Sequence, residues 1–194
     1  MLAAFVGKRV KEEDTLAMAT LPIDDGFISV REYLRTSYSP DCEYVDGRIV
    51  ERNVGDKGHS ILQMFLAGLF WVNRAAWGVE VYPELRTKLA TRLYRIPDVL
   101  VVRSGLRFES VLDHPPLIAI EILSPDDRIH DLQEKIDEYV TFGIEHIWVF
   151  DPCKRLAWWA DRDGLHLVTA DALCVPQTPI WVVLGEAWAE LDRV

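Results

Sequence analysis

The chain has 194 residues, enough for one domain with a proper core. It is 49% hydrophobic with seven Trp, which excludes a disordered protein. Its net charge of −10 argues against a broad nucleic-acid-binding face, since phosphate contacts draw on Lys and Arg, but leaves room for a local basic groove.

The N-terminal "MLAAFVGKRV" places its basic residues after a very short apolar run, the reverse of a secretory signal. Residues 1–24 read as a loosely structured leader, and residues 25–194 as a single domain. "ISVREYLRTS" is expected to form a short helix: Ser29 and Glu32 have capping-box spacing, and Val30, Tyr33 and Leu34 give an apolar stripe. In "CEYVDGRIVERN", Asp46-Gly47 between two runs of β-formers is a hairpin signal, with Glu43 at the start of the first strand. "HSILQMFLAGLFWVNRAAWG" is a long helix between His59-Ser60 and Gly78, apolar around most of its girth and therefore expected to be central. Its most apolar stretch, about 12 residues, is too short to cross a bilayer.

"VEVYPELRTKLA" and "YRIPDVLVVRS" are the next strands. The basic residues Arg86, Lys88, Arg92 and Arg95 cluster there and could form a local DNA-facing patch or only a solvated strand pair. "PPLIAIEIL" reads as a short strand covered on both faces. "SPDDRIHDLQEKIDEYVTFG" enters a helix ending near Gly143, and "IEHIWVFDP" is another buried strand, so these three make a βαβ unit with parallel strands. "KRLAWWADRDGLHLVTA" is a hairpin expected to turn at Asp163-Gly164, and "PIWVVLGEAWAEL" supplies a strand or turn and a short helix. The order implies an α/β (mixed α+β) fold, a central mixed sheet of about five or more strands flanked by helices. Adjacent Trp158 and Trp159 must point to opposite faces of their strand. The outward one suggests a homodimer through this hairpin or the C-terminal segment, unless the chain's own C-terminal helix covers it. Cys42, Cys153 and Cys174 form no C-x-x-C pair, so neither a zinc ribbon nor a disulfide framework is supported, and a reducing cytoplasm is expected.

Glu121 stands inside an otherwise apolar strand, where an unpaired charge is very costly. It must pair with Arg or Lys, be held protonated, or bind a metal. Asp98 is a second acid in a similar setting, directly after Pro97, which removes a ladder donor. On neighbouring strands the two acids would repel, and a hard divalent ion would relieve that repulsion: magnesium needs only one or two carboxylates plus water. Lys135 is the third group out of place. At ~100° per residue it falls between Tyr139 and Phe142 on the inward side of its helix, opposite the polar arc of Gln133, Glu134 and Asp137. Glu121 and Lys135 can therefore meet, either as a functional pair or as a structural salt bridge whose lysine snorkels to the edge.

The ordered set "CEYVDGRIVE", "YRIPDVLVV", "PPLIAIEILSPDDR" and "DLQEKIDEYVTFGIEHIWVFDP" resembles the Uma-two family, endonuclease-like proteins of the PD-(D/E)XK, restriction-endonuclease-like superfamily. The resemblance runs from about Ile28 to the end of the C-terminal hairpin. It implies a restriction-endonuclease-like core, with Asp98 as the "PD" acid and Glu121 as the "(D/E)" acid. The superfamily's lysine position two residues on is Leu123 here, and Lys135 fits a lysine migrated to the following helix. The implied activity is Mg²⁺-dependent (or Mn²⁺-dependent) hydrolysis of DNA phosphodiester bonds, DNA ahead of RNA. Asp98, Glu121 and the Ile122 carbonyl would hold the ion, Lys135 would orient water and stabilise developing charge, and Glu43 would hold a water or a second ion. An inactive nuclease-fold binding or regulatory module is the alternative, and a purely structural dimer with a core ion pair is a third reading.

His59 and Asp131 are candidate accessory residues. His59 could contact phosphate or carry a proton, or serve as a cap or packing residue. His130 and Asp131 are consecutive on a helix and do not face each other; Asp131 supports its helix N-terminus or positions Lys135. Ser124 and Arg128 lie in the turn after the Glu121 strand. No G-x-S-x-G, P-loop or G-x-G-x-x-G occurs, which removes the common hydrolase, NTPase and dinucleotide readings.

Overall fold

The computed structural model describes residues 27–53 and 55–193; the expected leader, residues 1–24, lies outside them. Helix α1 (Val30–Arg35) starts at Ser29, whose side chain accepts the Glu32 N–H at 3.2 Å. A six-residue helix makes fewer than two turns. Only Tyr33 is fully buried, whereas Leu34, expected on the apolar stripe, is 40% exposed. Strands β1 (Glu43–Val45) and β2 (Arg48–Val50) pair antiparallel across Asp46-Gly47. Both turn residues have positive φ, 49° and 97°, as a tight two-residue hairpin loop demands.

Helix α2 (Lys57–Trp77) is capped by Asp56, which accepts the His59 N–H at 2.8 Å, and stops at Gly78 in the left-handed region. Leu62, Leu66 and Phe70 are fully buried, but Met64, Trp71 and Val72 are 74%, 54% and 72% exposed. The helix is thus not central, as its composition suggested. It lies on one face of a sheet, which covers only one side of it.

That sheet is built from β3 (Val79–Pro83), β6 (Val99–Arg103), β7 (Ile118–Ile122), β8 (His146–Asp151), β9 (Leu156–Asp161) and β10 (Gly164–Leu167), in the order β10-β9-β8-β7-β6-β3. Only β7 and β8 are parallel, joined through helix α3 (Ile129–Phe142), as the βαβ expectation requires. Strands β4 (Thr87–Ala90) and β5 (Leu93–Arg95) leave this sheet and join a second one, in the order β2-β1-β5-β4. Pro97 falls at the break between β5 and β6, so one apparently continuous run is shared between two sheets. Strands β11 (Ala172–Cys174) and β12 (Trp181–Val183) pair separately before helix α4 (Leu184–Asp192).

Strand alternation divides the core in two. Val99, Val101, Ile118, Ile120 and Ile122 pack with the buried face of α2. Leu100, Val102 and Ala119 pack with Leu132, Ile136 and Tyr139 of α3. The same alternation puts Glu121, two after Ala119, on the α3 face, while Asp98 stands just before the start of β6.

The β9–β10 hairpin turns one residue earlier than expected. Asp161 pairs with Gly164, so the loop is Arg162-Asp163. Asp161 accepts the Asp163 N–H at 2.8 Å and fixes that turn. Trp158 packs into the α3-side core, and Trp159 points outward, 42% exposed, with its ring 4.0 Å from that of His166. Among the described residues no helix is long and apolar enough to cross a membrane.

The two faces of α2 predict opposite outcomes. Phe70→Ala should cost about 3–5 kcal/mol in urea denaturation, and Met64→Ala should stay within about 0.5 kcal/mol of the parent protein. Comparable losses in both variants would show that the exposed face of α2 is buried in solution.

Candidate active site

The register between β6 and β7 pairs Val99 with Ile120, so Asp98 and Glu121 stand opposite each other one step further along. Asp98 is fixed first by main chain: its Oδ2 accepts the Ile122 N–H at 2.7 Å. Its Oδ1 lies 2.7 Å from Arg52 Nη2 and 3.3 Å from His59 Nε2. The Asp98 carbonyl accepts from Gln63 of α2 at 3.1 Å, tying the strand entrance to that helix.

Helix α3 crosses over Glu121 and contributes two groups one turn apart. Lys135 Nζ lies 3.6 Å from Glu121 Oε2, and the Tyr139 hydroxyl donates to Glu121 Oε1 at 2.5 Å. The second sheet brings Glu43 from β1, only 2% exposed, with Oε1 3.0 Å from Lys135 Nζ. Glu43 also accepts from Arg95 Nη1 at 2.8 Å and from the Ile96 N–H at 3.1 Å. Arg95 in turn grips Glu138 of α3 through two bonds, 2.6 and 2.9 Å. A continuous ionic chain, Glu138–Arg95–Glu43–Lys135–Glu121, thus joins both sheets to α3.

Glu43, Asp98, Glu121, Ile122, Lys135 and His59 line one cavity of about 410 Å³. Asp131 is at its rim with a side chain 69% exposed, and His130, 4.0 Å from it, is exposed too. Leu123, two residues after Glu121, packs against the apolar core on the α3 side.

The basic cluster does not form one surface patch. Arg95 is buried among the carboxylates just described. Arg86 bonds Asp41 and lies over the Tyr33 ring, 4.6 Å from its centre. Only Lys88 and Arg92 are exposed. The cause is the carboxylates they meet: Asp41, just before β1, holds Arg86, and Glu43 of β1 with Glu138 of α3 draws Arg95 inward.

Burial pushes the Glu121 carboxyl up to about 7. Asp98 and Glu43 push the same way, and Lys135 only partly offsets them. Glu43 and Asp98 move oppositely. Burial would raise both, but Lys135 and Arg95 hold Glu43 below the usual carboxylate range, and His59, Arg52 and the Ile122 N–H do the same for Asp98. Burial would lower His59, yet its bond to Asp98 raises it. Lys135 is raised despite burial by Glu121 and Glu43 and stays charged.

Four contributors were not found from sequence. Glu138 lies one turn from Lys135 with the opposite charge partner Arg95, a pattern visible only once both elements are placed. Tyr139 read as an apolar-stripe residue, which its ring is, while its hydroxyl serves Glu121. Arg95 reads from sequence as part of a DNA-facing patch or a solvated strand pair, not as the centre of a buried carboxylate network. Arg52 sits in irregular chain after β2, where no periodicity marks it.

The mixed sheet, with α3 crossing between its parallel pair and α2 on the other face, defines a restriction-endonuclease-like α/β fold. The Uma2 family model, described as "Putative restriction endonuclease", matches residues 30–178, and the chain belongs to that family. Among solved structures, the fold is similar to a "putative nuclease belonging to DUF820" from Anabaena variabilis, with a TM-score of 0.71 and 19% identity, over 84% of this chain and 99% of that one. A fainter likeness, TM-score 0.38 and 17% identity over 68% of this chain and 10% of the other, is to DrdV in a complex with DNA. No curated protein matches.

The shift at Glu121 has a definite sign. Between about 4.5 and 7 the folded protein keeps a proton that the unfolded chain has released, so stability falls as pH rises through that window. In chelator-treated protein, Glu121→Gln should exceed wild type by on the order of 2–3 kcal/mol at pH 8 and match it near pH 4. Parallel stability curves for the two proteins across pH 5–8 would contradict the burial account.

Proposed function

We propose that the protein is a metal-dependent endonuclease that hydrolyses DNA phosphodiester bonds, with Asp98, Glu121 and Lys135 at its centre. The observation that carries this reading is the meeting of three chain-distant ionisable groups on one cavity, in positions where apolar residues would be easier to bury.

The donor set fits a hard divalent ion, Mg²⁺ or Mn²⁺. It consists of oxygens only: Asp98, Glu121 and the Ile122 carbonyl, which leaves the strand by the same edge as the N–H bonded to Asp98. Among the described residues no three His, Cys, Asp or Glu side chains are grouped as a cage. Magnesium does not require one, since it keeps several waters and binds through one or two carboxylates. Bound there, the ion would supply Lewis-acid polarisation of a phosphoryl oxygen and a more acidic water.

The chain's own residues do the rest. Lys135 presents a fixed ammonium to the cavity, held between Glu43 and Glu121, and is suited to orient water and to stabilise charge developing on the phosphorus centre. Glu43 keeps that ammonium seated and charged. Tyr139 orients the Glu121 carboxylate through its oxygen facing away from Lys135. Leu123 fills the strand position usual for the lysine, so the amine arrives from the helix instead. Arg48, exposed at the cavity rim, is placed to meet a phosphate, which a chain of net charge −10 needs only locally. A reducing, cytoplasmic setting belongs to the same proposal and rests on the spacing of Cys42, Cys153 and Cys174, which supports no disulfide framework.

Purified protein should nick supercoiled plasmid with Mg²⁺ or Mn²⁺. Glu121→Gln and Asp98→Asn should abolish nicking, and Lys135→Met should slow it by about 10²–10³. Wild-type rates in Glu121→Gln would end the nuclease reading. A wild-type protein that takes up no Mn²⁺ in calorimetry would favour the second reading, a nuclease fold serving as a binding or regulatory module, which Leu123 at the lysine position motivates. Self-association through the exposed Trp159 and Trp181 belongs to the same proposal, and light scattering should then give the mass of a dimer at micromolar concentration; a monomer would remove it.

A further inference from the structure

The most conspicuous group without a role in the proposed reaction is Arg52. Its side chain is only 14% exposed, and it lies in the cavity with Asp98 and Glu121. Nη2 bonds Asp98 Oδ1 at 2.7 Å, and Nη1 bonds Glu84 Oε1 at 3.2 Å. The two carboxylates differ in kind: the Asp98 side chain is 5% exposed and Glu84 53%.

Asp98 has two oxygens, and they are not equally available. Oδ2 holds the Ile122 N–H, a main-chain donor inside β7 that cannot leave without breaking the strand. Oδ1 is held by side chains only, Arg52 and His59. An ion seeking Asp98 therefore competes at Oδ1 with a guanidinium already in place. Arg52 is carried by irregular chain between β2 and α2, so side-chain rotation frees it without loss of regular structure. Glu84 can retain the guanidinium by its other nitrogen when the bond to Asp98 is given up. A cation tethered by an exposed acid and docked on a buried one is built for exchange.

We propose that Arg52 is the resident counter-cation of the acid pair in the ion-free protein, and that a divalent ion reaching Asp98 displaces it, turning the guanidinium into the cavity as a phosphate-binding group. This rests on the divalent-ion reading above and adds to it a competitor for the ion. The exchange replaces a single positive charge at Oδ1 by a double one and makes or breaks no covalent bond. The freed guanidinium presents paired N–H donors, the geometry that recognises phosphate oxygens.

The test is Mn²⁺ calorimetry on wild type, Arg52→Gln and Arg52→Lys, with Asp98→Asn as the control for site identity. Arg52→Gln should bind Mn²⁺ about tenfold tighter or more, since the ion no longer has to break a charge-assisted hydrogen bond. Arg52→Lys, which keeps the charge but cannot bridge two carboxylates, should fall between the two. Asp98→Asn should remove the heat in every background. If Arg52→Gln folds only when Mn²⁺ is added, as read by thermal melts with and without the ion, the proposal is supported, because the ion then stands in for the missing cation. If it folds under neither condition, Arg52→Lys decides: tighter binding than wild type supports the exchange and equal or weaker binding overturns it. Equal or weaker binding in a folded Arg52→Gln likewise overturns the exchange while leaving the metal reading intact. Absence of Mn²⁺ binding in wild type and both Arg52 variants defeats the metal reading and the exchange together.

Discussion

The placement of the Lys135 ammonium between Glu43 and Glu121 is the constraint on which the site depends. Three carboxylates are almost completely withdrawn from water here, Glu43, Asp98 and Glu121, at 2%, 4% and 7% exposure. Uncompensated, each would carry a desolvation cost of several kcal/mol. Lys135 serves two of them with one charge, and it comes from an element that belongs to neither acid's strand. Since α3 is also gripped through Glu138 and Arg95, the ammonium cannot drift to the surface as an ordinary lysine on a helix edge does.

Such a junction needs two sheets. Glu43 and Arg95 belong to β1 and β5 of the smaller sheet, Glu121 to β7 of the larger, and Asp98 to the short link between them. Pro97 is at that link. Without a main-chain donor, it ends strand pairing at the point where the chain passes from one sheet to the other. The cavity is thus the seam between the sheets, closed by α3, and the ionic chain that lines it is also what fastens the seam. The residues proposed for the chemistry are also those that fasten the seam, so changes there should be felt in stability as well as in any activity.

What could be read from sequence is what broke a local rule. Glu121 interrupted an apolar strand and Lys135 fell on the buried side of an amphipathic helix, and each violation demanded a partner. The pairing of Asp98 with Glu121 followed from two adjacent short strands of period two. Residues that obeyed local rules while serving distant partners stayed hidden. Arg86 and Arg95 looked like ordinary strand charges, because nothing local records that Asp41 or Glu43 will face them. Arg52 lies in irregular chain, whose side-chain direction is set by tertiary contacts alone. The exposed stripe of α2 was hidden for a related reason: composition gives the apolarity of a helix but not how many of its sides meet a sheet. Likewise, the departure of β4 and β5 to a second sheet depends on how strands pair far along the chain, which no window of residues contains.

The buried network also explains why one proton remains. Its acids are Glu43, Asp98, Glu121 and Glu138, and the permanent cations bonded to them are Arg52, Arg95 and Lys135. These four acids outnumber their permanent cations by one; Glu84 on Arg52 and His59 on Asp98 extend the network by one acid and one titratable base. The strain concentrates on Glu121, which among the described residues is met by the neutral Tyr139 hydroxyl and a lysine 3.6 Å away, shared with Glu43, and by no guanidinium. That carboxyl therefore keeps its proton to about pH 7, while Asp98 and Glu43 remain ionised. A pocket whose buried acids outnumber its permanent cations is also one in which a doubly charged ion can replace a singly charged guanidinium and relieve the repulsion that raises Glu121.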